Sequence, residues 1–286
     1  YVMQSNDADG AFAQTPVSTY PESGWHHIAL KGAALMAEEL GYTEDATLFR
    51  STMERVKEGY NKCWNGYAYR HPSYQESTDD RVQALAVISG IADETKYKRI
   101  LNLFKTQFHA SPYMEKYVME ALFVMGEGEY ALERTKKRFE EMVNDPNHTT
   151  LYEGWGIGKK GFGGGTTNHA WSGGAQIVIS QHLFGIKPLE VGYKTFLIEP
   201  CPASFTSGTL SFPTVRGTIS ASFKNNPEEF SMKLHIPKGT TAIVRLSEQG
   251  VIRINGKQKK ATTFKLVAGK YTIYSAHLST SASSTN

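Results

Sequence analysis

Apolar residues recur at helical spacing through roughly the first two-thirds of the chain and alternate with polar ones through most of the rest. A first helix is predicted from about Glu22 to Leu40, where Trp25, Ile28, Gly32 and Leu35 recur and Gly41 stops the run. A second spans about Glu44 to Lys62, with Leu48, Met53, Val56 and Tyr60 on one side. A third covers about Asp80 to Gly90, and a fourth about Asp93 to Phe108. Ser111-Pro112 opens the fifth as an N-cap with proline at the first helical position, and Gly126 ends it. The sixth runs about Glu129 to Val143, and the seventh about Asn168 to Phe184.

The third (after its first turn), fifth and seventh are poor in charge, whereas the even-numbered helices are charged on one face. Connections within a pair are short, and those between pairs are longer. A buried helix, a short turn, an amphipathic helix and a long loop, repeated, predict concentric rings of helices, an α/α toroid. The long loops then open at one end, where a site would sit. Seven helices fall short of six pairs, so helices upstream of this chain, or a smaller ring, are expected. After Gly185-Ile186-Lys187-Pro188 the period becomes alternating. Runs at 196–198, 209–212, 218–223, 230–236, 241–246, 251–254 and 270–274 are separated by turn chemistry such as Pro237-Lys238-Gly239 and Asn255-Gly256. They predict an antiparallel β-sandwich. The organisation expected is a partial toroid over residues 1–186, a sandwich over 187–278 and a disordered Ser/Thr-rich tail over 279–286.

Composition changes this picture little. The chain is 40% apolar and 21% charged, ordinary for a globular protein, and its formal charge of +3 is scattered, which argues against nucleic acid as a partner. No stretch reaches the roughly 18 apolar residues of a membrane span. Cys63 and Cys201 are expected to be free, buried or half-buried thiols. Tyr1-Val2-Met3-Gln4 does not look like a native start, so the lack of a targeting signal carries no information. Histidines such as His26 and His27 lack the spacing of a metal site, and no cofactor motif is present; neither metal nor cofactor is expected.

The densest constellation is Thr149-Thr150-Leu151-Tyr152-Glu153-Gly154-Trp155, a glycine-rich stretch to Gly165, then Thr166-Thr167-Asn168-His169-Ala170-Trp171. A carboxylate flanked by aromatics, with a His-Ala-Trp opening a helix, suits a carbohydrate: indoles stack on sugar CH faces, a carboxylate moves a proton, and histidine donates to hydroxyls. From composition alone, a flexible loop with Glu153 as a solvated acid fits equally. Asp79 and Asp80 begin the third helix, as sugar contacts or as N-caps. Tyr113 and Glu115 begin the fifth, with core packing the alternative for Tyr113, and Trp25 either stacks on sugar or caps the core. Trp64 reads as structural.

The order T-T-L-Y-E-G-W, N-H-A-W-S-G-G, G-I-K-P, G-Y-K-T-F and I-E-P resembles the C-terminal half of the bacterial α-L-rhamnosidase family, a six-hairpin (α/α)6 toroid followed by a β-sandwich. Asp79-Asp80-Arg81-Val82-Gln83-Ala84-Leu85 and Ser111-Pro112-Tyr113-Met114-Glu115-Lys116-Tyr117 fit the same pattern. The resemblance covers roughly residues 20–246. It implies an inverting glycoside hydrolase that removes terminal α-L-rhamnose with two carboxyl groups roughly 6.5–9.5 Å apart. By motif position Glu153 matches the general base and His169 the sugar-binding histidine, with Trp155 and Trp171 beside them. The general acid belongs to an upstream motif with no counterpart in these 286 residues. The resemblance further implies a secreted or periplasmic enzyme. Two alternatives stand beside it: a glycosidase or lyase of the same toroid acting on another sugar, and a non-catalytic glycan-binding protein. The sandwich lacks a row of exposed aromatics and reads as a stabilising neighbour.

Overall fold

A computed structural model of the chain describes residues 19–70, 78–157, 165–246 and 251–276. The expected tail at 279–286, the chain start and most of the glycine-rich stretch lie outside the described residues. Two compact units divide the chain, Tyr1–Ala175 and Gln176–Asn286.

Among the described residues, the first unit carries six α-helices: α1 (Thr19–Leu40), α2 (Thr43–Asn61), α3 (Asp80–Ser89), α4 (Glu94–Thr106), α5 (Pro112–Val124) and α6 (Gly128–Val143). Local chemistry sets their ends. Asp79, Asp93 and Ser111 accept backbone N–H groups at the starts of α3, α4 and α5, and Gly90 closes α3 in the left-handed conformation. Packing divides the helices as their charge pattern predicts. α3 touches α1, α4 and α5, and α5 touches α3, α6 and a 3-10 turn at Ala170–Gly174. Nine of the ten residues of α3 are buried, whereas α4 buries only Ile100, Leu103 and Phe104. The odd-numbered helices thus form an inner row and the even-numbered an outer one. Gly24 lets α1 approach α3, because a β-carbon there would lie 2.9 Å from Leu85 Cβ.

The predicted seventh helix is broken. A 3-10 turn (Ala170–Gly174) leads into one α-helical turn (Ala175–Val178) and then a π turn (Ile179–Leu183). The tandem Gly173-Gly174 is a poor helix former, and the Ser172 hydroxyl donates to the Tyr152 carbonyl at 2.8 Å. These local commitments override the apolar spacing.

The second unit holds β1 (Ile186–Pro188), β2 (Thr195–Ile198), β3 (Ser207–Thr214), β4 (Gly217–Asn225), β5 (Glu229–Arg245), β6 (Ile252–Ile254), β7 (Lys257–Lys259) and β8 (Thr263–Ala276). All eight strands join in one hydrogen-bonded sheet, and β5 and β8 are long enough to pair along two separate sections. Their halves around 229–236 and 269–276 join β4 and β6, while the halves around 241–245 and 263–267 carry β2 and β1 on the β5 side. Pairing is antiparallel except that β2 runs parallel to β5. The predicted turn at Pro237-Lys238-Gly239 is instead a register shift within β5, made possible by Gly239 at φ 73°. Phe223, Met232, Leu234, Val244 and Ile273 are buried in this unit, as alternation requires. Cys63 is half-buried, and Cys201 is exposed rather than buried as expected. Trp64 packs on Tyr69 at 5.1 Å and bridges its backbone, a structural role.

Candidate functional site

Aromatic side chains from three elements of the helical unit meet in a row. Trp25 of α1 lies edge-on to Tyr117 of α5, with ring centres 4.7 Å apart. Tyr117 meets Tyr113 one turn earlier at 5.5 Å, their hydroxyls 3.2 Å apart. Tyr113 faces Trp171 at 5.4 Å, and Trp171 meets His169 at 5.8 Å. These separations lie within the range of favourable ring pairs. Tyr117, named above only as a helix residue, proves to be the link between Trp25 and Tyr113; its i+4 spacing from Tyr113 was the available signal. Burial, followed by the hydrogen bond with Tyr113, raises the pKa of its phenol. Trp171 is 68% exposed, far beyond what a core indole tolerates. Gly174 allows the turn carrying Trp171 to sit against α5, since a β-carbon there would lie 2.8 Å from Lys116 Cγ.

Two stretches close in sequence are clamped together beside this row. The Thr150 hydroxyl donates to the Thr167 carbonyl, and the His169 N–H donates to the Leu151 carbonyl at 2.8 Å. The Glu153 N–H donates to the Thr166 carbonyl at 2.9 Å, and the Thr166 N–H returns a 2.9 Å bond to Glu153 Oε2. Glu153 is therefore held by one oxygen; among the described residues its other oxygen accepts no hydrogen bond, and the side chain is exposed. Gly165 is needed at this approach, because a β-carbon there would stand 2.5 Å from Ile157 Cδ1.

The other carboxylates expected near a sugar are bound by arginines. Asp79 caps α3 and chelates Arg81. Asp80 is fully buried: Oδ1 accepts the His109 N–H at 3.1 Å and Oδ2 accepts Arg134 Nη2 at 2.6 Å. Glu115 takes Arg134 Nε at 2.5 Å, with Arg138 Nε 3.3 Å away. Arg134 also donates to the carbonyls of Phe104 and Gln107, so one guanidinium from an outer helix ties two inner-helix acids to the end of α4. Burial pushes the Asp80 carboxyl above the ordinary carboxylate range against the pull of Arg134. Burial alone would lower Arg134, but its bonds to Glu115 and Asp80 carry it above its ordinary value. These acids offer no open lone pair to a sugar comparable with that of Glu153. Arg134 belongs to an even-numbered helix expected to be charged on one face; two acids in charge-poor inner helices were the signal that a cation had to reach them.

Trp155 is likewise committed. Its indole N–H donates to the Ala110 carbonyl at 2.7 Å, Arg138 lies over its ring at 4.3 Å, and Phe139 packs at its edge. It lines a cleft of about 590 Å³ with Phe108, Tyr130 and Arg138, a space bordered by none of Glu153, His169 and Trp171. The aromatic row is thus a platform apart from that cleft. Among the described residues, no group of three or more His, Cys, Asp or Glu could hold a metal ion, and no helix is long and apolar enough to cross a membrane.

Paired helices with a buried inner row, followed by an eight-stranded β unit, fit a partial α/α toroid with a β-sandwich. Within that class, residues 185–261 match the model of the bacterial alpha-L-rhamnosidase C-terminal domain. A stretch of 104 residues, 34% of this chain and 11% of the relative, is 29% identical to an alpha-L-rhamnosidase of Formosa agariphila. The alpha-L-rhamnosidase structure from Dictyoglumus thermophilum superposes with a TM-score of 0.73 at 19% identity, over 86% of this chain and 30% of that one. The Streptomyces avermitilis alpha-L-rhamnosidase complexed with L-rhamnose gives 0.71 at 19% identity, over 88% and 26%. The chain therefore resembles the C-terminal part of α-L-rhamnosidases, and spans less than a third of each of these relatives.

Proposed function

We propose that this chain is the base-bearing part of an inverting α-L-rhamnosidase-like glycoside hydrolase, with Glu153 as general base. The observation that carries the reading is the state of Glu153: one oxygen is fixed by the Thr166 N–H, the other is open, and the clamp joins its loop to His169 beside Trp171. A carboxylate held this way keeps its orientation and retains a lone pair for a water proton. In the proposed reaction that water attacks the anomeric carbon as the glycosidic bond breaks, and a carboxylic acid on the other side protonates the departing oxygen. The acid comes from a motif that these residues do not contain. His169 donates to a sugar hydroxyl, and Trp171, Tyr113 and Trp25 offer ring faces to the sugar. Asp79, Asp80, Glu115 and Trp155 act indirectly, by holding the inner helices and the loop in place.

Binding of terminal L-rhamnose to the aromatic row is tested with Trp171→Ala. The ring is exposed, so the fold should be unaffected. The dissociation constant for L-rhamnose, followed by saturation-transfer NMR, should rise about two- to tenfold. Unchanged affinity removes Trp171 from the site. A second reading, glycan binding without hydrolysis, is favoured by the capture of Asp80 and Glu115 by Arg134, which leaves Glu153 without a second inner-helix carboxylate among those considered. Turnover of a rhamnoside decides between the two.

A further inference from the structure

The outward face of the sandwich layer formed by β3, β4, β5 and β8 carries a pattern that the hydrolase reading does not use. Strand register places Thr209, Ser222, Lys233 and Thr272 in one row across the four strands. The next row is Ser211, Ser220, His235 and Lys270. Lys224 stands at the following position on β4, opposite Ser231 of β5. The lysines and His235 are exposed, and a cleft of about 430 Å³ lies over both rows. No carboxylate stands in either row. Glu229, further along the same face of β5, is engaged by Tyr274.

His235 is directly opposite Lys270, and Lys233 lies on the diagonal. Lys233 and Lys270 therefore share one patch, which an anion lying between them would neutralise. We propose that this face binds an acidic polysaccharide, its carboxylates taken by Lys233, Lys270 and Lys224 and its hydroxyls by the rows of Ser and Thr. A linear glycan lying across the strands meets a new cation or hydroxyl every ~4.8 Å, the strand spacing. Nucleic acid fits less well. Neither row carries Phe, Tyr or Trp; of the tyrosines nearby, Tyr274 has Arg253 over its ring and Tyr271 alone lines the cleft, so stacking, the main sequence-tolerant contact with single strands, has few rings to use. The proposal is independent of the chemistry assigned to Glu153, and it replaces the aromatic platform that the sandwich lacks with charge.

The test is affinity electrophoresis of the full chain in gels containing polygalacturonate, dextran or a single-stranded oligonucleotide of matched charge, beside Lys233→Ser/Lys270→Ser. Both substitutions are at exposed positions, and an unchanged melting temperature confirms folding. Polygalacturonate should retard the parent, dextran should not, and the oligonucleotide should retard it less. The double variant should bind polygalacturonate at least about tenfold more weakly while its affinity for free L-rhamnose is unchanged. The proposal is overturned by no retardation of the parent, by equal retardation of the variant, or by an oligonucleotide that binds as well as polygalacturonate.

Discussion

Arg134→Met should lower the unfolding free energy of the protein by about 3–5 kcal/mol, the range for breaking a buried ion pair from one side. Methionine fills much of the same volume, so the loss comes from charge rather than from a cavity. Asp80 and Glu115, 0% and 1% exposed, would lose the guanidinium that both now share. The Gln107 carbonyl would lose the Arg134 N–H as well, and the Phe104 carbonyl would keep the Tyr130 hydroxyl. Asp80 would then have to take up a proton or draw in water to stay buried, and Glu115 would keep only its longer contact with Arg138. Urea unfolding followed by far-ultraviolet circular dichroism measures the effect. A loss under 1 kcal/mol would show that the cluster contributes little. Converting Asp80 and Glu115 to apolar residues in the same variant should recover much of the loss, because the buried charges would be gone.

Glu153→Gln should reduce turnover of a rhamnoside by about 10²–10⁴, the usual contribution of a positioned base. The amide oxygen can still accept the Thr166 N–H, so the clamp and the fold should survive. It cannot accept a proton from water. L-Rhamnose affinity should therefore stay close to that of the parent. A variant that keeps its turnover would remove Glu153 as base. A variant that loses affinity and turnover together would make it a binding residue instead.

Much of the fold could be read from local chemistry. Ser111-Pro112, Asp93 and Gly90 mark helix ends that the structure reproduces, and alternation along 230–236 marks the buried side of β5. The contrast between α3 and α4 separated inner from outer helices, because charge content follows burial. Reading failed where a distant partner overrides local preference. Pro237-Lys238-Gly239 has the composition of a turn, yet both halves of β5 are held by β8, and the chain continues through an irregular register. β6, equally short, was found because Ile252 and Ile254 alternate with Arg253, whereas β1 (Ile186–Pro188) and β7 (Lys257–Lys259) were missed because neither carries two apolar positions around a polar one in a run read as a strand.

The candidate site divides along the same line. Motif order brought together Glu153, His169 and Trp171, whose neighbourhood depends on hydrogen bonds between two nearby stretches. Asp80 and Glu115 looked like open acids because Arg134, 54 residues from one and 19 from the other, is invisible to local pattern. Trp155 looked like a sugar platform for the same reason; its indole partner, the Ala110 carbonyl, lies 45 residues away.

The central claim is tested most directly by the natural protein that contains this sequence, offered aryl glycosides that differ only in the sugar. Aryl leaving groups with acidic phenols need little protonation, so a weak or absent general acid cannot by itself hide the action of the base. The account predicts release of the phenol and L-rhamnose from the α-L-rhamnoside, with the other glycosides left intact. Folded protein that releases a different sugar, or binds L-rhamnose and cleaves nothing, would contradict it.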